Sequence, residues 1–191
     1  DIFEIKFKDL TIIEKGKIGI VTAKHGENLN SDSSVALYKK EFDNFENAGV
    51  FIESGGQKGL QSKCLRFGNY VINTEVFQIK IADVTKIPTG MIGLVNAKFG
   101  RQIEGRDSVP LQVECDHYRD AGTFLKKEGQ RGWQRDYLES GEYEINTDIF
   151  EIESVSKTEI GDNQIGIVSA KFGSQIHNKE LLAEQVDSHN F

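Results

Sequence analysis

Two glycine-rich strings carry the residue types that most readily suggest chemistry. They are Gly55-Gly56-Gln57-Lys58-Gly59 and its later echo Glu128-Gly129-Gln130-Arg131-Gly132. A glycine-rich loop can cradle a phosphate on its backbone amides, but the sequence then required is GxxxxGK[ST], with the lysine after the last glycine. Lys58 precedes Gly59, so that pattern fails. The strings read instead as tight helix-to-strand loops in which the glutamine bonds to backbone. The four histidines (His25, His117, His177, His189) have no metal-ligand spacing and do not recur in register. His25 stands where Phe99 and Phe172 stand in later copies, which suits a turn. Asn73-Thr74 recurs as Asn146-Thr147, but Asn-Thr at the start of a loop is ordinary turn chemistry. No Ser/His/Asp or Cys/His set repeats. The expectation is therefore no catalytic, cofactor-binding or metal residue, no cofactor and no small-molecule substrate.

What does recur is architecture. Residues 44–103 align without a gap on residues 117–176, with 26 identities in 60 positions. Unrelated chains of average composition match at roughly one position in sixteen. Ala97-Lys98-Phe99-Gly100, for example, meets Ala170-Lys171-Phe172-Gly173. The beginning belongs to the same pattern: Asp1–Ile5 is identical to Asp148–Ile152, and Phe3–Gly26 matches Phe77–Gly100 at 13 of 24 positions. Advancing 73 residues from His117-Tyr118 reaches Asn190-Phe191, the counterpart of Asn44-Phe45. A tandem repeat of about 73 residues follows. Its blocks are 1–43 (the later half of a module plus spacer), 44–116 and 117–189 (complete modules plus spacer), and 190–191 (the start of another). The register suggests a segment of a longer array.

Each module reads as a short helix, a glycine loop and several strands. Phe45, Ala48 and Ile52 fall at i, i+3 and i+7, as do Tyr118, Ala121 and Leu125, giving one apolar helical stripe. Asp43 and Glu46 resemble an N-cap and its partner three residues on. Phe77, Ile79 and Ile81 alternate with polar residues, and Ile92-Gly93-Leu94-Val95 reads as a more buried strand. The turn between these strands carries Gly16, Gly90 and Asn163 in the three copies, residues that accept positive φ cheaply. Pro88 suits position i+1 of that turn, and Phe67-Gly68-Asn69 and Ser140-Gly141-Glu142 suggest a second turn before Tyr70 and Tyr143. The fold class is mainly β with short helices (α+β), built from small antiparallel modules. Val109-Pro110-Leu111 and Leu181-Leu182 keep the spacers partly apolar, which favours ordered packing.

Composition bounds the partners. Hydrophobic residues at 38% and charged residues at 28% describe a globular chain. A net charge of −7 argues against a general nucleic-acid surface and against adhesion to anionic lipid. One basic cluster (Lys126, Lys127, Arg131, Arg135) is interleaved with Glu128, Asp136 and Glu139. Cys64 and Cys115 occupy non-equivalent positions and form no CxxC pair, which slightly favours the reducing cytosol over a disulfide scaffold. No apolar run reaches the length of a membrane helix.

The string His117–Leu125, then Gly129-Gln130-Arg131-Gly132-Trp133-Gln134, then Leu138–Asn146 resembles a known segment. It is similar to the region leading into the SPFH (stomatin, prohibitin, flotillin; band-seven) domain of large bacterial flotillin-like proteins. There the pattern runs approximately FQDAxxFLxxGGQRGxQxxxLxxGxYxIN. Glu128 departs from it by breaking the glycine pair, and Phe67 or Ser140 stands where proline is common. The same Glu128 removes a likeness to the Gly-Gly-Gln loop of peptide-release factors. The modules are more distantly similar to the small β repeats of the major vault protein. Both resemblances imply a self-assembling scaffold: β modules in a row, chains side by side, forming rings, cage walls or membrane-associated assemblies. They imply lateral homo-oligomers and a cytoplasmic setting, with membrane attachment through segments beyond these residues. They supply no catalytic residue. A protein- or glycan-binding repeat displaying variable loops is the alternative, favoured if an aromatic such as Tyr38 is exposed.

Overall fold

The computed structural model describes residues 9–30, 34–103 and 109–171. Asp1–Ile5, Phe172-Gly173, His177, Leu181-Leu182, His189 and Asn190-Phe191 lie outside the described residues. Within them the chain is mainly β, with short helices and small antiparallel sheets. In order it forms β1 (Thr11–Ile13), β2 (Lys17–Ala23), a 3-10 turn (Lys40–Phe45), α1 (Ala48–Glu53), β3 (Gly59–Leu65), β4 (Gly68–Tyr70) and β5 (Phe77–Asp83). Then follow β6 (Thr85–Ile87), β7 (Met91–Ala97), α2 (Ala121–Lys126), β8 (Gly132–Leu138), β9 (Gly141–Tyr143) and β10 (Phe150–Ser156).

Two three-stranded sheets, β3-β2-β5 and β8-β7-β10, share one design. Ala23 faces Phe77 as Ala97 faces Phe150, and Gly19 faces Leu65 as Gly93 faces Leu138. The register slips at Ile20/Thr22 and again at Leu94/Asn96. Short ladders β1-β4 and β6-β9 complete each unit. β2 and β7 are central because they are flanked on both edges, which explains their near-continuous apolar sequences. The sheets are phased differently from the sequence blocks 44–116 and 117–189. Each unit begins on the two strands before the glycine loop, which enter different sheets, so the units span roughly 11–83 and 85–156. An alignment fixes a period but not the point at which the chain closes a sheet.

Each unit has an aromatic core. Phe45, Phe51 and Phe77 stack with centroids 4.9–6.3 Å apart, and Tyr118, Phe124 and Phe150 repeat the arrangement at 5.1–6.3 Å. Phe42 joins the first set, and the buried Cys115 takes its place in the second. That substitution accounts for a cysteine that does not recur.

The helix differs from the expected stripe. α1 starts at Ala48 and buries Phe51, whereas Ile52 is exposed; α2 likewise buries Ala121 and Phe124. The cap is not Asp43. Asp43, Asn44 and Phe45 all have positive φ, as do Asp116, His117 and Tyr118, so the chain makes a left-handed turn before each helix. Such residues disfavour this conformation by about 1–2 kcal/mol each. The turn drives the third residue, Phe45 or Tyr118, inward to the core. Capping passes to Asn47 and Asp120, whose side chains accept from Val50 N (3.0 Å) and Thr123 N (2.8 Å). Glu46 is diverted to accept from Val71 N at 2.8 Å.

The strand turns follow expectation at one position: Gly16, Gly90 and Asn163 have φ of 80°, 84° and 63°. Pro88, however, is the first residue of its turn, since its carbonyl accepts from Met91 N at 3.1 Å. Tyr70 and Tyr143 each follow their second turn on a short strand, and each hydroxyl donates to a carbonyl four residues back, Arg66 O or Glu139 O, at 3.0 Å. Ile81, third in the alternating set, lies largely in solvent.

Candidate functional site: the junction between units

Buried polar groups are costly unless bonded, so they mark places where a fold has been specified. Among the described residues, three polar side chains are buried: Gln61, Ser62 and Asn146. All three meet where the outer face of the first sheet abuts the second unit.

Gln61 sits on β3 and holds the glycine loop closed. Its amide donates to Gln57 O (2.8 Å) and Gly59 O (2.9 Å). Gln134 repeats this on Gln130 O and Gly132 O at 2.8 and 2.7 Å. The loop glutamine was expected to bond backbone, and Gln130 does so, accepting from Leu111 N at 2.8 Å. The recurring clamp is nevertheless the glutamine four residues later. Its recurrence at the repeat period was the signal available. The backbone N–H groups of Lys58 and Arg131 donate to Glu27 O and Arg101 O and close the loops.

The junction is tied from several elements. Asn146 Nδ2 donates to Gln61 O at 3.2 Å, while its Oδ1 accepts from Asp148 N at 3.1 Å. Asn73 makes the matching turn bond to Glu75 N (3.0 Å), so the turn reading of both Asn-Thr pairs holds and Asn146 adds a second task. Ser62 Oγ accepts from Tyr38 N at 3.0 Å. Arg66 pairs with Glu144 at 3.0 Å and Lys80 with Asp148 at 2.6 Å, both partly exposed. The spacer contributes as well. Ala36 exchanges backbone bonds with Leu60 and Ser62, and Val35 is buried in the second unit's core. Pro110 stands in Ala36's place in the next spacer, where the missing N–H removes the bond Ala36 donates.

A polar groove of about 530 Å³ runs along this junction. Lys63, Arg66, Arg119 and Lys126 line it together with Asp116, Asp120 and Glu144. Tyr38 lines it but is half-buried, edge-on to Phe42 and Phe45, with the Lys63 ammonium 4.1 Å from its ring centre. His25 lies exposed at a bend after β2, and His117 is exposed in the left-handed turn. Among the described residues no three His, Cys, Asp or Glu side chains stand together as a metal site, and no helix is long and apolar enough to cross a membrane.

Cys64 lies at the junction. Burial pushes its thiol up to about 12 from the usual 9.0, with Asp148 and Glu144 adding to the rise and Arg66 opposing it. Burial also lifts Cys115 to about 11. Unfolded thiols ionise near 9, so above that pH the unfolded state binds fewer protons and stability falls as pH rises toward 11–12. Thermal melts from pH 7 to 11 are expected to show this decline, and the Cys64→Ser, Cys115→Ser double variant should lessen it, leaving the part above pH 10 that comes from Tyr118, whose hydroxyl burial also pushes up. Cys115 should also react slowly with a disulfide reagent at pH 8 until the chain unfolds, and more slowly than the half-buried Cys64 of the groove. Prompt modification of Cys115 in the folded chain would contradict its burial.

Comparison with family models, with curated proteins and with solved structures finds no match to this chain.

Proposed function

We propose that this chain is a segment of a flotillin-like or vault-like scaffold, a row of β units that assembles laterally with its own copies into a ring, cage wall or membrane-associated layer. The observation that carries this reading is the junction. Buried Gln61 and Asn146, with Val35 threaded into the neighbouring core, tie one unit to the next. A polar network of this kind contributes specificity of arrangement more than raw stability. Fixed geometry between successive units is what a wall needs and what a string of independent binding domains does not. Attachment to a membrane would come from segments beyond these residues, in a cytoplasmic setting.

The junction groove favours one other reading, in which its opposed charges bind a protein or glycan. Tyr38 gives that reading little support, since its ring is held at the edge of the core.

Sedimentation velocity over a hundredfold range of concentration tests the proposal. Species much larger than one chain, growing with concentration, are expected. A single monomeric boundary throughout would contradict it.

A further inference from the structure

The junction between the two units shows what a covered sheet face looks like, and the second unit presents the same face uncovered. On the first sheet, Ile18 and Ile20 are fully buried and pack with Val84, Leu60, Cys64 and Ala82. The second sheet carries Ile92, Leu94, Trp133, Tyr137 and Val155 at the corresponding positions. There Trp133 is 48% exposed and Tyr137 51%. Direct cross-strand pairing of Leu94 with Tyr137 and of Ile92 with Val155 places these side chains on one face.

Beyond β10 the chain makes a third turn of the same kind, within Thr158–Ala170, at the sequence positions of β1-β2 and β6-β7. The turn already has their geometry. Asn163 is left-handed like Gly16 and Gly90, and Gln164 N donates to Gly161 O at 3.1 Å as Lys17 N donates to Glu14 O. A Cβ on Gly166 would meet Ile160 Cδ1 at 2.7 Å, just as one on Gly19 would meet Ile13 Cδ1 at 2.8 Å. Yet Ile165-Gly166-Ile167-Val168-Ser169-Ala170 pairs with no strand among the described residues. Ile165 and Ile167 are 89% and 88% exposed, whereas Ile18 and Ile20 in the same places are buried. The six residues differ from Ile18–Ala23 only by serine for threonine. Large apolar side chains left exposed beside a turn already shaped like its two sisters mark an interaction site.

We infer that the outer face of the second sheet and the Thr158–Ala170 segment form one docking site, and that its occupant is a further helix, glycine loop and strand block of the pattern of Ala48–Asp83 and Ala121–Ser156. Among the described residues both earlier strand pairs, β1 with β2 and β6 with β7, take their ladder partners from that block: it supplies one strand to each edge of the central strand. Its arrival gives Ile165–Ala170 two ladder partners and covers Trp133 as Leu60 is covered. This inference concerns packing along the row and stands whether or not rows associate laterally.

The test uses the full chain extended from position 190 by a copy of residues 117–157, with leucine replacing tryptophan in the copy. Trp133 is then the sole tryptophan and reports on the face. Amides of Ile165–Ala170 are expected to exchange at least about 100-fold more slowly than in the unextended chain, as for a strand that opens only with its sheet. Trp133 emission should shift to the blue, and acrylamide quenching should fall. Gly166→Val in the extended chain should abolish that protection, while the first two sheets keep theirs. Unprotected amides with an exposed Trp133 would overturn the inference, whether the added block is unfolded or folds elsewhere. Protection retained with valine at 166 would overturn it too, because the segment would then not be seated as its sisters are. Concentration-dependent protection in the unextended chain would identify a second copy as the occupant and would likewise overturn it.

Discussion

Phe51→Ala and Phe124→Ala are each expected to destabilise the chain by about 3–5 kcal/mol, the range for removing a fully buried phenyl ring. Each ring is inaccessible to solvent and lies at the centre of its unit. Phe51 is 4.8 Å from Phe42 and 4.9 Å from Phe77 between centroids, in edge-to-face geometry; Phe124 is 5.1 Å from Phe150. The rings also roof the glycine loops, since a Cβ on Gly129 would stand 2.5 Å from the Phe124 ring. Neighbours cannot collapse into the vacated space without dragging the loop. Urea unfolding should show a lower midpoint at a similar slope. A loss under about 1 kcal/mol, below the range for such a truncation, would mean that the aromatic cores do not hold the units together.

Gly100→Ala is expected to cost about 2–5 kcal/mol, from left-handed strain together with an overlap that no side-chain rotation relieves. Gly100 has φ of 132°, and an added Cβ would overlap the carbonyl oxygen of Gly129. That oxygen accepts from Arg101 N at 2.9 Å, and Arg101 O accepts from Arg131 N at 3.0 Å. The bonds clasp the post-strand turn to the glycine loop. Gly26 does the same against Gly56, so Gly26→Ala should behave alike. Gly90→Ala is the control: it has positive φ but no atom within 4 Å, and about 1 kcal/mol is expected. Gly90→Asn should cost less, because Asn163 occupies the equivalent turn at φ 63°. Equal losses at positions 90 and 100 would remove the overlap from the explanation.

These contrasts show what the residue order disclosed. The mainly β class, the strand turns and the aromatic positions were legible because each has a local signature: alternation, glycine or asparagine at a left-handed position, recurrence of Phe. The phase of the units was not legible, because the partners of β2 lie some 40–60 residues later and no local pattern says which strand a central strand awaits. The helix cap was misplaced for a related reason. Asp43 has the chemistry of a cap, but three successive left-handed residues carry it out of position, and the core contact of Phe45 that sustains this turn is tertiary. At the junction, Gln61 and Gln134 recur at the repeat period and could have been singled out. Asn146 could not, since Asn73 has the same sequence context and lacks its buried partner across units.

The proposed role is a wall built from β units in a row. Electron microscopy of the whole protein tests it most directly. The account predicts ordered rings, barrels or sheets, with rows of units running side by side at a constant spacing. A field of separate, monomeric particles at assembly concentrations would contradict it.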